Sequence, residues 1–125
     1  MNLNDTYTLE FIPDGKIVRL KTLAPVMGDD VRQMMDVLGK KYHEEGYRSI
    51  LCDLSEGGSE LVTKDSRKAF KETAGELDFD KIAMFGASPV MRMAAKVILA
   101  ITGQSKKTKF FKAEDEARAW LTGKE

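Results

Sequence analysis

Cysteine occurs once in the chain, at Cys52, and histidine once, at His43. A lone thiol closes no internal disulfide and builds no cysteine metal cluster, and an unpaired thiol suits a reducing compartment. An excess of charge of one sign is also missing. Twenty lysines and arginines face twenty aspartates and glutamates, which argues against a general nucleic-acid binder, since neutralising phosphates takes a basic excess. Long apolar runs are lacking too. The longest helical apolar stretch, Pro89 to Thr102, contains Arg92 and Lys96 and is too short to span a bilayer. The opening MNLNDTYTLEF has no basic region followed by an apolar run, so no signal peptide is visible. These absences together give the expectation of a cytoplasmic protein.

With 125 residues, 42% of them apolar and 32% charged, residues 1–125 read as one soluble domain able to build its own core. Tyr7, Leu9 and Phe11 alternate with Thr8 and Glu10, and Val18 and Leu20 with Arg19 and Lys21. Each run is a strand with one covered and one wet face. Pro13-Asp14-Gly15-Lys16 between them is a hairpin turn, because Asp-Gly tolerates positive φ. After Pro25 the period changes. Val31, Met34, Met35, Leu38 and Tyr42 share one helical face, started by Asp29 and Asp30 and stopped at Gly46. Ile50 to Leu54, Lys81 to Phe85 and Lys109 to Phe111 are short apolar runs without alternation, the pattern of parallel strands covered on both sides. Ser66, Phe70, Thr73 and Leu77 mark a second helix. Ser88 caps a third with Pro89 in its first turn, and Ala113, Ala117, Trp120 and Leu121 mark a fourth. The order β-β-α-β-α-β-α-β-α predicts a single α/β domain: a mixed sheet that opens with an antiparallel hairpin, continues as parallel βα units and carries about four flanking helices.

Chemistry is sparse. Gly86-Ala87-Ser88-Pro89 joins a strand to a helix, but it has neither a phosphate-binding Gly-Lys-Ser/Thr ending nor a dinucleotide-binding glycine pattern. It reads as a cap and tight turn, with anion binding as the alternative. The loop after the central strand carries Asp53, Ser55, Ser59, Asp65 and Ser66, at the strand end where α/β folds place function. These residues serve equally well as loop and capping groups. His43 sits at a helix end among glutamates, where its charge suits the dipole, and Cys52 lies in an apolar strand as a small core residue. No catalytic constellation, metal site or cofactor site emerges.

The third helix is the most informative segment. On a helical wheel Val90, Ala94, Val97, Ile98 and Ile101 form the expected core face. Arg92 and Lys96 mark the opposite side, and Met91, Ala95 and Leu99 lie beside them. That second strip is read either as deeply packed or as a surface for a partner, a second copy of the chain or a lipid layer. Lys106, Lys107, Lys109 and Lys112 read as a solvated charged face or, with Arg92 and Lys96, as a local basic patch that favours an anionic membrane over nucleic acid if the strip containing Leu99 is exposed.

The strand ILCDLS with its loop, Asp65-Ser66 at a helix start, the later KIAMFGASP and the closing FFKAEDEARAWL resemble the STAS superfamily, and in particular its SpoIIAA-like branch, from Tyr7 to Leu121. The resemblance implies a non-enzymatic regulatory or binding module. Anti-sigma-factor antagonists of that superfamily are phosphorylated on a serine at the start of the second helix, which here is Ser66; the second Ser and the Gly of their Asp-Ser-Ser-Gly stretch are replaced by Arg67 and Lys68. The SpoIIAA-like branch is also similar to the lipid-exchange CRAL–TRIO fold, which implies membrane association or small hydrophobic ligands.

The expectations are therefore these. A module docks a protein partner, itself as a homodimer or a membrane lipid through its second and third helices, using Met91, Arg92, Ala95, Lys96 and Leu99. Alternatively, Ser66 is a phosphorylation switch, or the loop after Asp53 serves a ligand carrier or small enzyme, with Asp53, Ser55, Asp65, Gly86 and Ser88 around the ligand.

Overall fold

The computed structural model describes residues 2–3, 6–23, 27–56, 63–73 and 77–123. The opening hairpin is present: β2 (Tyr7–Ile12) pairs antiparallel with β3 (Ile17–Thr22), and a two-residue strand, β1 (Asn2–Leu3), adds to its outer edge. The turn closes through Lys16 N–H donating to the Pro13 carbonyl at 3.2 Å. From there on every strand is parallel to the one before it: β4 (Ser49–Asp53), β5 (Lys81–Phe85) and β6 (Thr108–Phe111). The sheet order is β1-β2-β3-β4-β5-β6, which is also the order along the chain.

That order dictates the layers. Parallel neighbours are joined by right-handed crossovers, and a sheet that always steps in one direction then sends all its crossover helices to one face. Three helices make those crossovers: α1 (Gly28–Glu45), α2 (Lys64–Thr73) and α3 (Pro89–Thr102). The last helix, α4 (Glu114–Thr122), connects to no further strand and covers the other face through Ala117 and Leu121, which pack on Ile17, Leu51, Ala83 and Phe85.

The sequence periods carry through. Val31, Met34, Met35, Leu38 and Tyr42 are the buried face of α1 and meet Tyr7, Leu9, Val18, Ile50 and Ile82 from the sheet in the main core. Asp30 starts that helix by accepting Met27 N–H at 3.0 Å, and Gly46 ends it at φ +74°. Ser88 caps α3, its Oγ accepting Met91 N–H at 3.2 Å.

One expectation about α3 is reversed. Met91, Ala95 and Leu99, read as the outer strip, are only 3% to 6% exposed. Val90, Val97 and Ile101, read as the core face, are 43% to 58% exposed, and Met93 reaches 71%. The wheel ranks faces by apolarity and α3 is apolar nearly all round, so the ranking could not fix its phase. Arg92 and Lys96 do fix it. They lie on the β6 side, over the Phe110 ring at 5.7 and 5.8 Å from its centroid. The flank beside them therefore turns inward, and the β-branched stripe faces out.

Candidate functional site

Beneath α3 the packing is incomplete. A cavity of about 160 Å³ lies between the helical layer and the sheet. Its floor is Ile50, Cys52, Ile82 and Met84 from β4 and β5, and its roof is Met91, Ala95, Ile98 and Leu99 from α3. α1 contributes Met34, Met35 and Leu38, and Phe70 and Phe79 close the α2 side. The buried strip of α3 thus faces a hole as well as the small cluster it forms with Leu54.

Among the described residues, the lining holds no side chain that is charged at neutral pH. Cys52 is the one titratable group of this described lining, and burial, reinforced by the neighbouring Asp53 charge, pushes that thiol up to about 12. Cys52 is therefore a neutral wall residue, as its apolar strand suggests. Among the described residues, two of the lining residues each carry a side-chain oxygen that is buried without a hydrogen-bond partner, Thr22 Oγ1 and Gln104 Oε1, though neither oxygen opens onto the cavity.

The five residues expected around a ligand are placed elsewhere. Asp53 lies on the opposite face of the sheet, because side chains alternate along β4 and Cys52 takes the cavity side. One Asp53 oxygen accepts Ser55 N–H at 3.0 Å and Ser55 Oγ–H at 2.6 Å, and the other accepts Arg19 at 3.1 Å. Arg19 also donates to Glu114 of α4 at 2.8 and 3.1 Å. Burial alone would raise the Asp53 carboxyl, but the Ser55 hydrogen bonds and the Arg19 charge outweigh it and hold it below the usual carboxylate range. The Arg19 hydrogen bond and charge lower Glu114 likewise, with Arg118 adding to them. Arg19 is raised, with its hydrogen bond to Glu114 as the main cause.

Gly86 does approach Ser55: a Cβ at Gly86 would stand 2.9 Å from Ser55 Cβ. That junction is a tight crossing of two loops. Ser88 serves the α3 cap, and Asp65 accepts Gly28 N–H at 2.6 Å, tying the start of α2 to the start of α1. Asp53, Ser55, Gly86 and Ser88 are thus brought to the carboxyl edge of the sheet, each with a structural task. Ser59 lies outside the described residues.

Ser66 does not present a hydroxyl for phosphorylation. It is 1% exposed and sits in a reciprocal cap. Thr63 N–H donates to Ser66 Oγ at 2.9 Å, Ser66 N–H donates to Thr63 Oγ1 at 3.0 Å, and the Ser66 hydroxyl donates to the Thr63 carbonyl at 2.9 Å. A phosphate there requires the first turn of α2 to open. The sequence pattern places Ser66 on the same helical face as Phe70, and that face turns inward.

Outside the cavity, α3 exposes Val90, Met93, Val97 and Ile101, beside a strongly one-sided charge. From Lys81 to Ala113 the chain holds seven lysines and arginines and no aspartate or glutamate. The net charge of zero conceals this, because the rest of the chain carries the matching acidic excess. The acid-free run was the signal in the sequence for this surface. No described helix is long and apolar enough to cross a membrane.

Comparisons with known proteins agree with the fold. The SpoIIAA-like family model matches residues 17–122. An uncharacterised DUF3478-family protein with a SpoIIAA-like fold from Shewanella loihica PV-4 is 21% identical, with a TM-score of 0.65 over 97% of this chain and 98% of that one. The protein TM1081 is 11% identical, with a TM-score of 0.65 over 97% of this chain and 92% of its own. No functionally curated protein matches. A match over most of the length, together with the same architecture in two solved structures, makes this chain a member of the SpoIIAA-like family.

Proposed function

We propose that this protein is a non-enzymatic binding module that holds a small apolar molecule between its sheet and α3. The cavity of about 160 Å³ carries the reading. Cavities of about 150 Å³ with aliphatic and aromatic walls take up benzene, and an apolar ligand seated here removes the walls of α3 and the sheet from water. Membership in a family whose domains are typically non-enzymatic supports the same reading. The methionines make the test direct. With methyl-labelled protein, added toluene shifts the resonances of Met34, Met35, Met84 and Met91, which line the cavity, and leaves those of the exposed Met27 and Met93 in place. Shifts confined to Met27 and Met93, or no shifts at toluene saturation, overturn the reading.

A second reading rests on a separate observation: the outer face of α3 docks on an anionic lipid surface. Four exposed apolar side chains stand beside Arg92 and Lys96 in a segment with no acidic residue. Apolar insertion combined with cationic attraction is how interfacial helices bind anionic bilayers. Co-sedimentation with phosphatidylglycerol vesicles, and none with phosphatidylcholine vesicles, is the expected result. Equal binding to both, or a dimer on a sizing column that dissociates on Val97→Glu without any vesicle binding, replaces the lipid by another occupant.

A further inference from the structure

The solvent side of α1 carries a charge pattern that the single chain leaves unused. Arg32, Asp36, Lys40 and Glu44 succeed one another at four-residue spacing with alternating sign, and all four are exposed. Charges at that spacing can pair along their own helix, but no two consecutive members of this row do so. Arg32 turns to Asp29 and Glu72 instead, at 3.3 and 3.4 Å. Among the described residues, Asp36, Lys40 and Glu44 enter no ion pair.

Gly39 lies beside this row. Glycine is a poor residue for a helix interior, and packing within the chain does not call for it: a Cβ there would meet nothing within 4 Å. The result is a notch in the surface of α1. It opens into a cleft of about 510 Å³ lined by Asp36, Gly39, Lys40 and Glu44 of α1 and by Glu72 and Thr73 of α2.

The row is complementary to itself under a two-fold axis. Side chains four apart form a ridge inclined about 26° to the helix axis. With the two-fold axis perpendicular to that ridge, a second α1 runs antiparallel to the first and crosses it at about 50°, the commonest class of helix packing. The row is then read in reverse across the contact, so Arg32 faces Glu44 and Asp36 faces Lys40, each pair occurring twice. With the axis along the ridge, every residue would meet its own copy, and like charges would repel. Symmetry therefore selects one of the two crossings, and the notch at Gly39 lets the backbones approach.

We infer that this chain forms a two-fold homodimer through the outer face of α1, held by reciprocal Arg32–Glu44 and Asp36–Lys40 pairs and seated at Gly39. Such an interface is closed, since the same patch serves both copies. It is a different surface from the exposed stripe of α3 and does not depend on the cavity reading. Exposed ion pairs are weak singly, so the dimer is reversible and loosens as salt screens them.

Sedimentation velocity of the full chain over a range of concentrations tests this. At low ionic strength a monomer–dimer equilibrium is expected, shifting to monomer in about 0.5 M salt. Asp36→Lys and Lys40→Glu should each lower the association constant about tenfold, because either change makes two attractive pairs repulsive. Combining them in one chain should restore association, and so should mixing the two single variants, since each then meets its complement. Gly39→Leu, which fills the notch without meeting its own chain at Cβ, should abolish the dimer. All these side chains point away from the core, so circular dichroism should show every variant folded. A chain that stays monomeric at every concentration in low salt overturns the dimer. A dimer that survives the charge reversals but dissociates on Val97→Glu lies on α3 and overturns the α1 assignment. Association lost in the single variants, and regained neither in the combined variant nor in the mixture, overturns the reciprocal pairing.

Discussion

Single residues carry more of this structure than their chemistry advertises. Gly86 combines φ +79° with backbone and side-chain atoms of Ser55 within 3.1 Å of where a Cβ would stand, whereas Gly46 has a similar φ of +74° and open space around it. Gly46→Ala therefore loses about 1 kcal/mol to backbone strain alone, and Gly86→Ala loses more than about 2 kcal/mol, because steric overlap adds to the strain. Urea unfolding midpoints of the two variants separate the terms. Arg19 holds two carboxylates, one on β4 and one on α4. Since both have pKa values below their ordinary range, their contribution is complete above about pH 5.5, where the unfolded groups are ionised, and is lost as the pH falls from there through the lowered values. Arg19→Met is expected to cost about 2 kcal/mol at neutral pH by leaving Asp53 buried and unpaired. Its stability should also fall less steeply than that of the wild type on acidification below pH 4, as followed by circular dichroism.

Among the elements, α1 and α3 show when a periodic pattern can be read and when it cannot. In α1 the apolar residues are outnumbered by charged ones on the other side, so one face alone can go inward and the wheel finds it. In α3 only Arg92 and Lys96 interrupt an apolar surface. Its phase is set by tertiary facts, the Phe110 ring beneath the two cations and the small Ala95 opposite the sheet, which no sequence window contains. The capping residues were legible because a cap is local; the cavity was not, because it is made by six separated segments. Two substitutions in α3 exploit the corrected phase. Ala95→Leu fills the cavity, so it should raise stability by about 1–2 kcal/mol and abolish toluene binding. Calorimetry with and without toluene checks both effects. Val97→Glu lies on the exposed stripe, so it should change stability by no more than about 0.5 kcal/mol while ending co-sedimentation with anionic vesicles.

At the scale of the whole molecule, the fold class was readable because strand and helix periods alternate, and a run of βα units has few ways to wind. The cationic surface was harder to see because composition sums over the chain. A net charge of zero excluded a basic protein, yet the cations and anions are segregated along the sequence, with the segment from Lys81 to Ala113 holding cations alone, although Asp78 pairs with Lys107 of that segment. Attraction of that segment to an anionic bilayer should weaken as salt screens it over roughly 8–10 Å at physiological ionic strength. Vesicle binding measured from low salt to 0.5 M should therefore fall steadily, whereas toluene uptake, which involves no charge, should not.

The strand order has a consequence for how the chain is made. Each strand hydrogen-bonds only to strands adjacent in sequence, so during synthesis every new strand leaves the ribosome beside a neighbour that is already there. The sheet can grow from one edge in step with translation, because each new strand needs only the strand made just before it, across one crossover, as Ser49 pairs with Ile17 and Lys81 with Ser49. α4 emerges last and seals Leu51, Ala83 and Phe85 from water. A nascent chain stopped before Glu114 would therefore carry a nearly finished sheet with one greasy side bare, the form most in need of a chaperone.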